Sequence, residues 1–596
     1  MGKVNLLPQD IVSKIAAGEV IERPASCLKE LIENALDAET SRIEIHTEQS
    51  GKKLISVTDS GSGILPDDME KIFIRHSTSK IKNLDDLDHI DSLGFRGEAL
   101  YSIAAISDVI LRSKVRGQDT GWEMHVHGGK NMGIKPVNMR EGTEIDVREL
   151  FFNTPARRKF MKSDHAELNQ IINTFIPYTL IYPSYEFSLH NYKKPLFDLP
   201  PENNRISRVS NVLHLRKENI IEAYKSDADG DLSVRLFLGD INIQRVKRDM
   251  QFIFVNDRPV NDKNISFHLN QVYRLIMPQG TYPFFAAFIN LPHDQVDVNM
   301  HPTKREIRIK DDRRLVHLMR PLAEHTLMAH GKPKKIMGAF ASPDESAASA
   351  AEKKHDKISQ FDILESFDPG IKSSTPLDTA HVIKHDDIIE HQKNLFDDAP
   401  STLKNDDPEN LKSKLYFGSF LSTFLNKYIL YSSGTSIIIM DQHAAQERIV
   451  FEDLVRQVQE NKVEVQHLIS PIVARLTTQE MLAWESLHEK LDELGISTTQ
   501  WDKESIAIHS HPQLIHKPHI ALRNILAGKD TSSVDIETLA RWACRKSCMA
   551  GDTVKKEFAE FLRERLLECS DPFTCPHGRP TVIEIDEKFL NKQFLR

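Results

Sequence analysis

The sequence predicts a multidomain protein of α/β and α+β character. Three observations predict it. At 596 residues the chain is too long for one hydrophobic core. Strands and helices alternate as far as about residue 332, and from about residue 412 a second run of strands and amphipathic helices begins. Between them lies an acidic stretch rich in Ser, Asp, Lys and Pro, without sustained periodicity. These features divide the chain into residues 1–205, 206–332, 333–411 and 412–596.

In the first part, "RIEIHTE" and "KLISVTDSG" read as strands, and "SCLKELIENALDA" reads as a helix with Ser26 at the N-cap. Near residue 206 the texture changes. "DLSVRLFLGDI", "RDMQFIFVNDRPV" and "YPFFAAFINLP" predict a second, smaller α/β domain. After the acidic stretch, "YILYSSGTSIIIM" predicts a hairpin, "DQHAAQERIVFEDLVRQVQ" the helix that follows it, and "TQEMLAWESLHEKLDELGI" a further amphipathic helix.

The formal charge of −9 does not exclude nucleic acid, because of where it sits. From Pro343 to Asn410 there are 16 acidic and 7 basic residues, which account for the whole excess. The remainder is neutral overall and leaves room for local basic surfaces. No apolar run approaches the roughly 18 residues of a membrane helix. The start lacks a signal-peptide core, so a cytoplasmic protein is expected. Five cysteines are too few for a disulfide framework. Four of them (Cys544, Cys548, Cys569 and Cys575) cluster near the end, which in a reducing compartment points to a metal.

Within "LKELIENALDA", Glu30 and Asn34 are four apart and share one helix face. Alone, such a pair is a solvated face. Asp59 then stands at a strand end before Gly61 and Gly63, and Gly94 and Gly97 open an apolar helix, where free N–H groups attract phosphate. Thr143 opens a further strand in "EGTEIDV". These four elements in this order resemble the Bergerat nucleotide fold of the GHKL ATPases. Within that superfamily, "IAAGEVIERPASCLKELIENALDA", "RHSTSKI", "LGFRGEAL", "LFFNTPARRKF" and "VDVNMHPTKREIRI" are similar to the MutL family of DNA mismatch-repair proteins. The resemblance spans residues 1 to about 332 and resumes near 412.

That resemblance implies a Bergerat ATPase domain, a ribosomal-S5-like transducer domain, a disordered linker and a C-terminal α+β domain for dimerisation. It implies that Glu30 is the general base for ATP hydrolysis, that Asn34 holds Mg²⁺ and that Asp59 accepts a hydrogen bond from adenine. Gly61, Gly63 and Thr143 would shape the adenine pocket. Thr78 and Ser79 would belong to a lid, and Gly94, Phe95, Arg96 and Gly97 would cradle phosphates. Lys304 would reach the γ-phosphate from the second domain. It further implies slow hydrolysis acting as a switch, ATP-driven closure of a homodimer, double-stranded DNA binding with Arg258 and Lys263 in a basic groove, and coupling to the mismatch recogniser MutS, at the nucleoid during repair.

At the other end, "DQHAAQERIVFE" places Asp441 at a strand end, with His443 and Glu447 on one helix face beyond it. By itself this reads as an N-cap with a surface ion pair. Glu452 need not share that face. Cys544, Cys575 and His577 supply thiolate and imidazole, and the mixed donor set suits either a two-metal hydrolytic site or a structural zinc site. The resemblance implies the first, since "DQHAAQERIVFE" and "CPHGRP" match MutL proteins that carry their own endonuclease. Asp441, His443, Glu447, Cys544, Cys575 and His577 would then hold Mn²⁺ or Zn²⁺ for nicking DNA. The sequence departs from that family at Met549, where a cation is usual. "QHLISPIV" resembles the sliding-clamp motif of the same class, with Gln466, Leu468 and Pro471 as its contacts. Alternatives stay open at this point: an ATP-gated matchmaker with a structural metal site, or a topoisomerase subunit.

Overall fold

A computed structural model describes residues 17–18, 20–80, 93–94, 97–274, 276–277, 281–297, 307–330, 408–528, 535–544 and 555–594. The chain separates into two units by contact. One comprises Met1–Lys332 with Lys412–Arg596, and the other Pro333–Leu411. Nearly all of the second unit, the acidic linker, lies outside the described residues. Among those described, no helix is long and apolar enough to cross a membrane.

Helix α1 (Pro24–Asp37) opens the first domain. It begins two residues before the predicted cap: Arg23 is the N-cap and Ser26 lies inside the first turn. Proline decides this, because its fixed φ and missing N–H suit the first helical position. Leu28, Leu31, Ile32 and Ala35 form the buried face. Each large apolar side chain there contributes about 1.5–3 kcal/mol.

This face packs on an eight-stranded sheet: β1 (Arg42–Glu48), β2 (Leu54–Asp59), β3 (Asp108–Lys114), β4 (Gly121–His127), β5 (Lys130–Val137), β6 (Gly142–Arg148), β7 (Glu186–Asn191) and β8 (Lys194–Leu199). The spatial order is β5-β4-β3-β6-β2-β1-β7-β8, with β1 and β7 parallel and the other pairs antiparallel. Helix α2 (Ala99–Ala105) leads into β3, and α3 (Asp164–Ile181) lies beside α1. Alternation sorts the side chains. Ile43 and Ile45 enter the core, whereas Glu44 and His46 face outward.

Helix α4 (Arg205–Leu213) leads to the second sheet: β9 (Ile220–Ser226), β10 (Ser233–Gly239), β11 (Gln251–Val255), β12 (Arg258–Val260) and β13 (Phe285–Asn290), in the order β12-β11-β13-β10-β9. Its Leu236, Ile253 and Ala287 pack with α5 (Lys263–Tyr273) and α6 (Asp312–His330). Phe237, Phe254 and Phe288 on the opposite face join the first domain's core. A short pair is formed by β14 (Val296–Asp297) and β15 (Arg308–Ile309); residues 298–306 between them, Lys304 included, lie outside the described residues.

Beyond the linker, α7 (Pro408–Phe417) precedes β16 (Ser419–Phe424), β17 (Tyr428–Ser432) and β18 (Ser436–Asp441). β17 and β18 form the expected hairpin. Helix α8 (Gln442–Gln459) follows β18 without a break. A second sheet holds β19 (Val465–Arg475), β20 (Thr498–Gln500) and β21 (Ser505–Pro512), with α9 (Thr478–Glu493), α10 (Pro518–Leu526) and α11 (Ile536–Cys544) around its core. Helix α12 (Lys556–Leu567) packs on α8, and β22 (Val582–Asp586) pairs with β18 to bring the chain end beside the start of α8. Glu480, held in the capping box that opens α9, forms a buried ion pair with Arg245 at 3.0 Å.

Candidate nucleotide pocket and metal site

The nucleotide constellation gathers where α1 meets the end of β2. Glu30 and Asn34 lie one turn apart on α1. Glu30 is a quarter exposed and its carboxylate is 3.1 Å from Lys29 Nζ. Lys29 also reaches Glu33 at 3.0 Å, and Tyr178 donates to Glu33 at 2.7 Å. This buried Lys29–Glu33–Tyr178 chain steadies the helix turn that carries Glu30.

Asn34 Oδ1 accepts from Lys80 Nζ at 3.3 Å. Asp37, one turn on, accepts from the backbone N–H groups of Leu93 at 3.0 Å and Gly94 at 3.1 Å, and pairs with Lys80. Asp37 thus gathers the start of the glycine loop and Lys80 beside Asn34. Sequence reasoning missed it. The available signal was a further carboxylate at i+3 from Asn34 on the same helix. Thr78 accepts from the N–H of Lys80, and Ser79 lies between them.

Asp59 ends β2 opposite Thr143 on β6. It is 9% exposed and accepts from Gly61 N–H at 2.8 Å. Burial pushes its pKa up to about 6, although the backbone N–H groups of Gly61 and Thr143 pull the other way. Thr143 shares a 3.0 Å hydroxyl contact with Ser113 on β3. Two glycines are demanded by close approach. Gly63 has φ +76° and a Cβ there would stand 2.4 Å from Lys114 O. Gly97 has φ +62° and would stand 2.4 Å from Ser77 O, the residue before Thr78. Phe95, Arg96 and Lys304 lie outside the described residues, as do residues 81–92.

The second constellation forms around α8. Asp441 caps the helix, accepting from His443 N–H at 2.9 Å and Ala444 N–H at 3.0 Å. His443 and Glu447 are 3.1 Å apart, but they are no surface pair, because the Glu447 side chain is only 6% exposed. The other carboxylate oxygen of Glu447 meets His577 Nδ1 at 3.2 Å. His577 stands in a tight turn closed by Cys575 N–H to Arg579 O at 2.8 Å. The ligand atoms of Glu447, Cys575 and His577 lie within 4.8 Å of one another. Burial disfavours the Glu447 carboxylate, yet hydrogen bonds from His443 and His577 outweigh it and hold its pKa far below the ordinary range. The pKa of His443 is raised, chiefly by the hydrogen bond to Glu447.

Among the described residues, two buried imidazole nitrogens in this cluster, His443 Nδ1 and His577 Nε2, have no hydrogen-bond partner. Orphaned imidazole nitrogens beside an ionised carboxylate and a buried thiol fit a divalent ion of zinc type. Cys544, the last residue of α11, sits in the apolar core around α9 and α10, and neither it nor Asp441 belongs to the 4.8 Å set. Glu452 is engaged elsewhere: it accepts from the N–H and hydroxyl of Ser570 at 2.7 and 2.9 Å. Cys548 and Met549 lie outside the described residues.

The remaining expected contacts are scattered. Arg258 opens β12 at the sheet edge and lines a cavity with Lys29 and Glu33. Lys263 is the first residue of α5. Gln466 and Pro471 are exposed on β19 and Leu468 is half-buried. The pairing of β19 with β21 breaks its register between His467 and Ile472, so Leu468 to Pro471 stand off the ladder.

Comparison with known proteins agrees along the whole chain. Residues 19–107 match the family described as histidine kinase-, DNA gyrase B- and HSP90-like ATPase, residues 214–328 the DNA mismatch repair protein C-terminal domain, and residues 421–554 the MutL C terminal dimerisation domain. The chain is 33% identical to the DNA mismatch repair protein MutL of Endomicrobium trichonymphae and 32% identical to that of Clostridium tetani, each over 100% of both chains. Among solved structures it is similar to the Aquifex aeolicus MutL ATPase domain complexed with ADP. That likeness has 30% identity over 46% of this chain and 93% of that one, with a TM-score of 0.37.

Proposed function

The chain belongs to the MutL family of DNA mismatch repair proteins, with an N-terminal GHKL ATPase domain, a transducer domain and a C-terminal dimerisation domain, and from that premise we propose that it also nicks DNA through the site around Glu447. The observation that carries this reading is the pair of orphaned imidazole nitrogens, His443 Nδ1 and His577 Nε2, flanking a buried carboxylate. Glu447, Cys575 and His577 would hold an ion, with His443 beside them and Asp441 and Cys544 as the family's further ligands. A bound Mn²⁺ or Zn²⁺ would supply Lewis-acid chemistry for phosphodiester hydrolysis. The protein's part is to keep Glu447 ionised at every working pH. It also keeps His443 and Glu447 in register, because the Asp441 cap fixes the first turn of α8. The twelve-residue run is thereby both a capped helix and half of a metal site.

In the ATPase domain, Glu30 would activate the attacking water, Asn34 would hold Mg²⁺, and Asp59 would accept from the adenine amino group. Gly61, Gly63 and Thr143 would line the base, Thr78 and Ser79 the lid, Gly94 to Gly97 the phosphates, and Lys304 would sense the γ-phosphate. Arg258 and Lys263 would contact the DNA backbone. MutS and the sliding clamp would license the cut, with Gln466, Leu468 and Pro471 as the clamp contacts. The stretch Leu468 to Pro471, lifted off its ladder, supports the last of these.

The deciding experiment incubates supercoiled plasmid with the full chain and Mn²⁺, comparing wild type with Asp441→Asn and Glu447→Gln. Nicking by the wild type that both variants lose is expected. Intact plasmid with the wild type, clamp present or absent, would leave the matchmaker with a structural metal site as the correct reading.

A further inference from the structure

On the outer face of the eight-stranded sheet, away from the nucleotide pocket, Asp108, His125 and His127 form a further convergent set of ligand atoms. His125 and His127 alternate on β4, so both imidazoles point to the same side, about 7 Å apart along the strand. Asp108 on β3 stands directly opposite His127 in the register. Its Oδ1 lies 2.7 Å from His125 Nε2 and 2.9 Å from His127 Nδ1, and the three ligand atoms lie within 4.8 Å of one another. The His127 ring packs against Phe152, with centroids 4.6 Å apart, which limits its rotation. The three side chains are one-quarter to one-half exposed, so solvent can complete a coordination shell.

We propose that Asp108, His125 and His127 form a zinc-type divalent cation site on the β3–β4 hairpin. Two imidazoles and one carboxylate are a borderline donor set, which selects zinc and its first-row neighbours over Mg²⁺ or Ca²⁺. Three protein ligands leave positions for water, so the ion is exchangeable. The place is separate from the nucleotide pocket. Thr143 meets β3 at Ser113, five residues or about 17 Å along the strand from Asp108. A further group on the same face, Glu44, His46 and His190, lies four strands along the sheet and also brings its ligand atoms within 4.8 Å of one another. Its His46 and His190 rings stack nearly parallel at 4.6 Å, and His46 Nε2 lies 2.8 Å from Glu44.

The test uses the full chain, stripped with chelator and dialysed against micromolar free zinc, with bound metal counted by mass spectrometry. His125→Asn with His127→Asn should lower the count by one zinc per chain. Glu447→Gln with Cys575→Ser should lower it separately, and the two losses should add. Cobalt(II) distinguishes the sites by spectrum. The Cys575 site gives a thiolate charge-transfer band that the histidine variants keep, while they lose only d–d absorption. Unchanged nucleotide affinity and circular dichroism establish that the histidine variants are folded. An unaltered zinc count in those variants would overturn the proposal and leave the C-terminal reading untouched. Loss confined to the Glu447/Cys575 variant would have the same meaning.

Discussion

Asp59→Asn should make the ATPase domain more stable at neutral pH while it abolishes nucleotide binding. Asp59 titrates near pH 6 in the folded chain, against an ordinary value of 3.8. A raised carboxyl pKa means that its stabilising contribution is fully present below pH 3.8 and is lost as pH rises through about 6. A gap of two units is worth roughly 3 kcal/mol. The asparagine has no such loss, although its neutral carbonyl accepts the backbone hydrogen bonds more weakly than a carboxylate, at a cost of about 1 kcal/mol. The variant should therefore be slightly less stable than wild type near pH 4 and about 1–2 kcal/mol more stable near pH 8. For a domain of this size the whole swing amounts to roughly 6–12 °C in Tm. Calorimetry of the full chain across that range reads it. The ATPase transition is assigned in wild type by its shift with ADP and in the variant by hydrogen exchange in β2. The amide that replaces the carboxylate turns a donor toward the adenine amino group, so the ADP-induced shift should vanish. A wild-type-to-variant gap that stays flat with pH would refute the argument from burial. An undiminished ADP shift would refute the role assigned to Asp59.

Three further expectations concern charged clusters. Glu30→Ala should keep nucleotide affinity within a few-fold while hydrolysis falls by about 10²–10⁴, the usual worth of a general base, as single-turnover kinetics would show. By contrast, Lys29→Met leaves the buried Glu33 carboxylate with only Tyr178, so it should cost about 3 kcal/mol in a thermal melt, where Glu30→Ala costs little. In chelator-treated protein, the raised pKa of His443 means that its pairing with Glu447 stabilises fully below pH 6.5 and is lost as pH rises through the higher folded value. The C-terminal transition should accordingly fall as pH rises above 6.5 without metal. Added zinc should reverse the trend, because an ion competes with protons for imidazole. The same slope with and without zinc would count against the metal site.

Local patterning explains what was readable beforehand. The i, i+4 relation of Glu30 and Asn34 follows from helix geometry alone. So does the capping by Asp441 where an apolar strand runs into an amphipathic helix. Asp59 at a strand end before two glycines needed only strand and turn chemistry. The helix start at Ser26 failed for an equally local reason, since Pro24 outranks a serine cap two residues later.

Linear spacing was silent wherever partners lie far apart in the chain. Glu447 and His577 are 130 residues apart and meet because β22 pairs with β18, returning the chain end to the start of α8. There Glu447 is buried, an ionised carboxylate between two imidazoles rather than half of a surface ion pair, and two ring nitrogens have no partner among the described residues. Asp37 gained its part only when residues 93–94 folded back onto α1. Asp108 met His125 and His127 through a strand register that no motif encodes. By itself the sequence determined the family, the kinds of element and the chemistry of each side chain, because these rest on neighbours a few residues apart. The tertiary structure alone decided which donors converge and how dry they are. Both depend on long-range pairing and on the burial that follows from it.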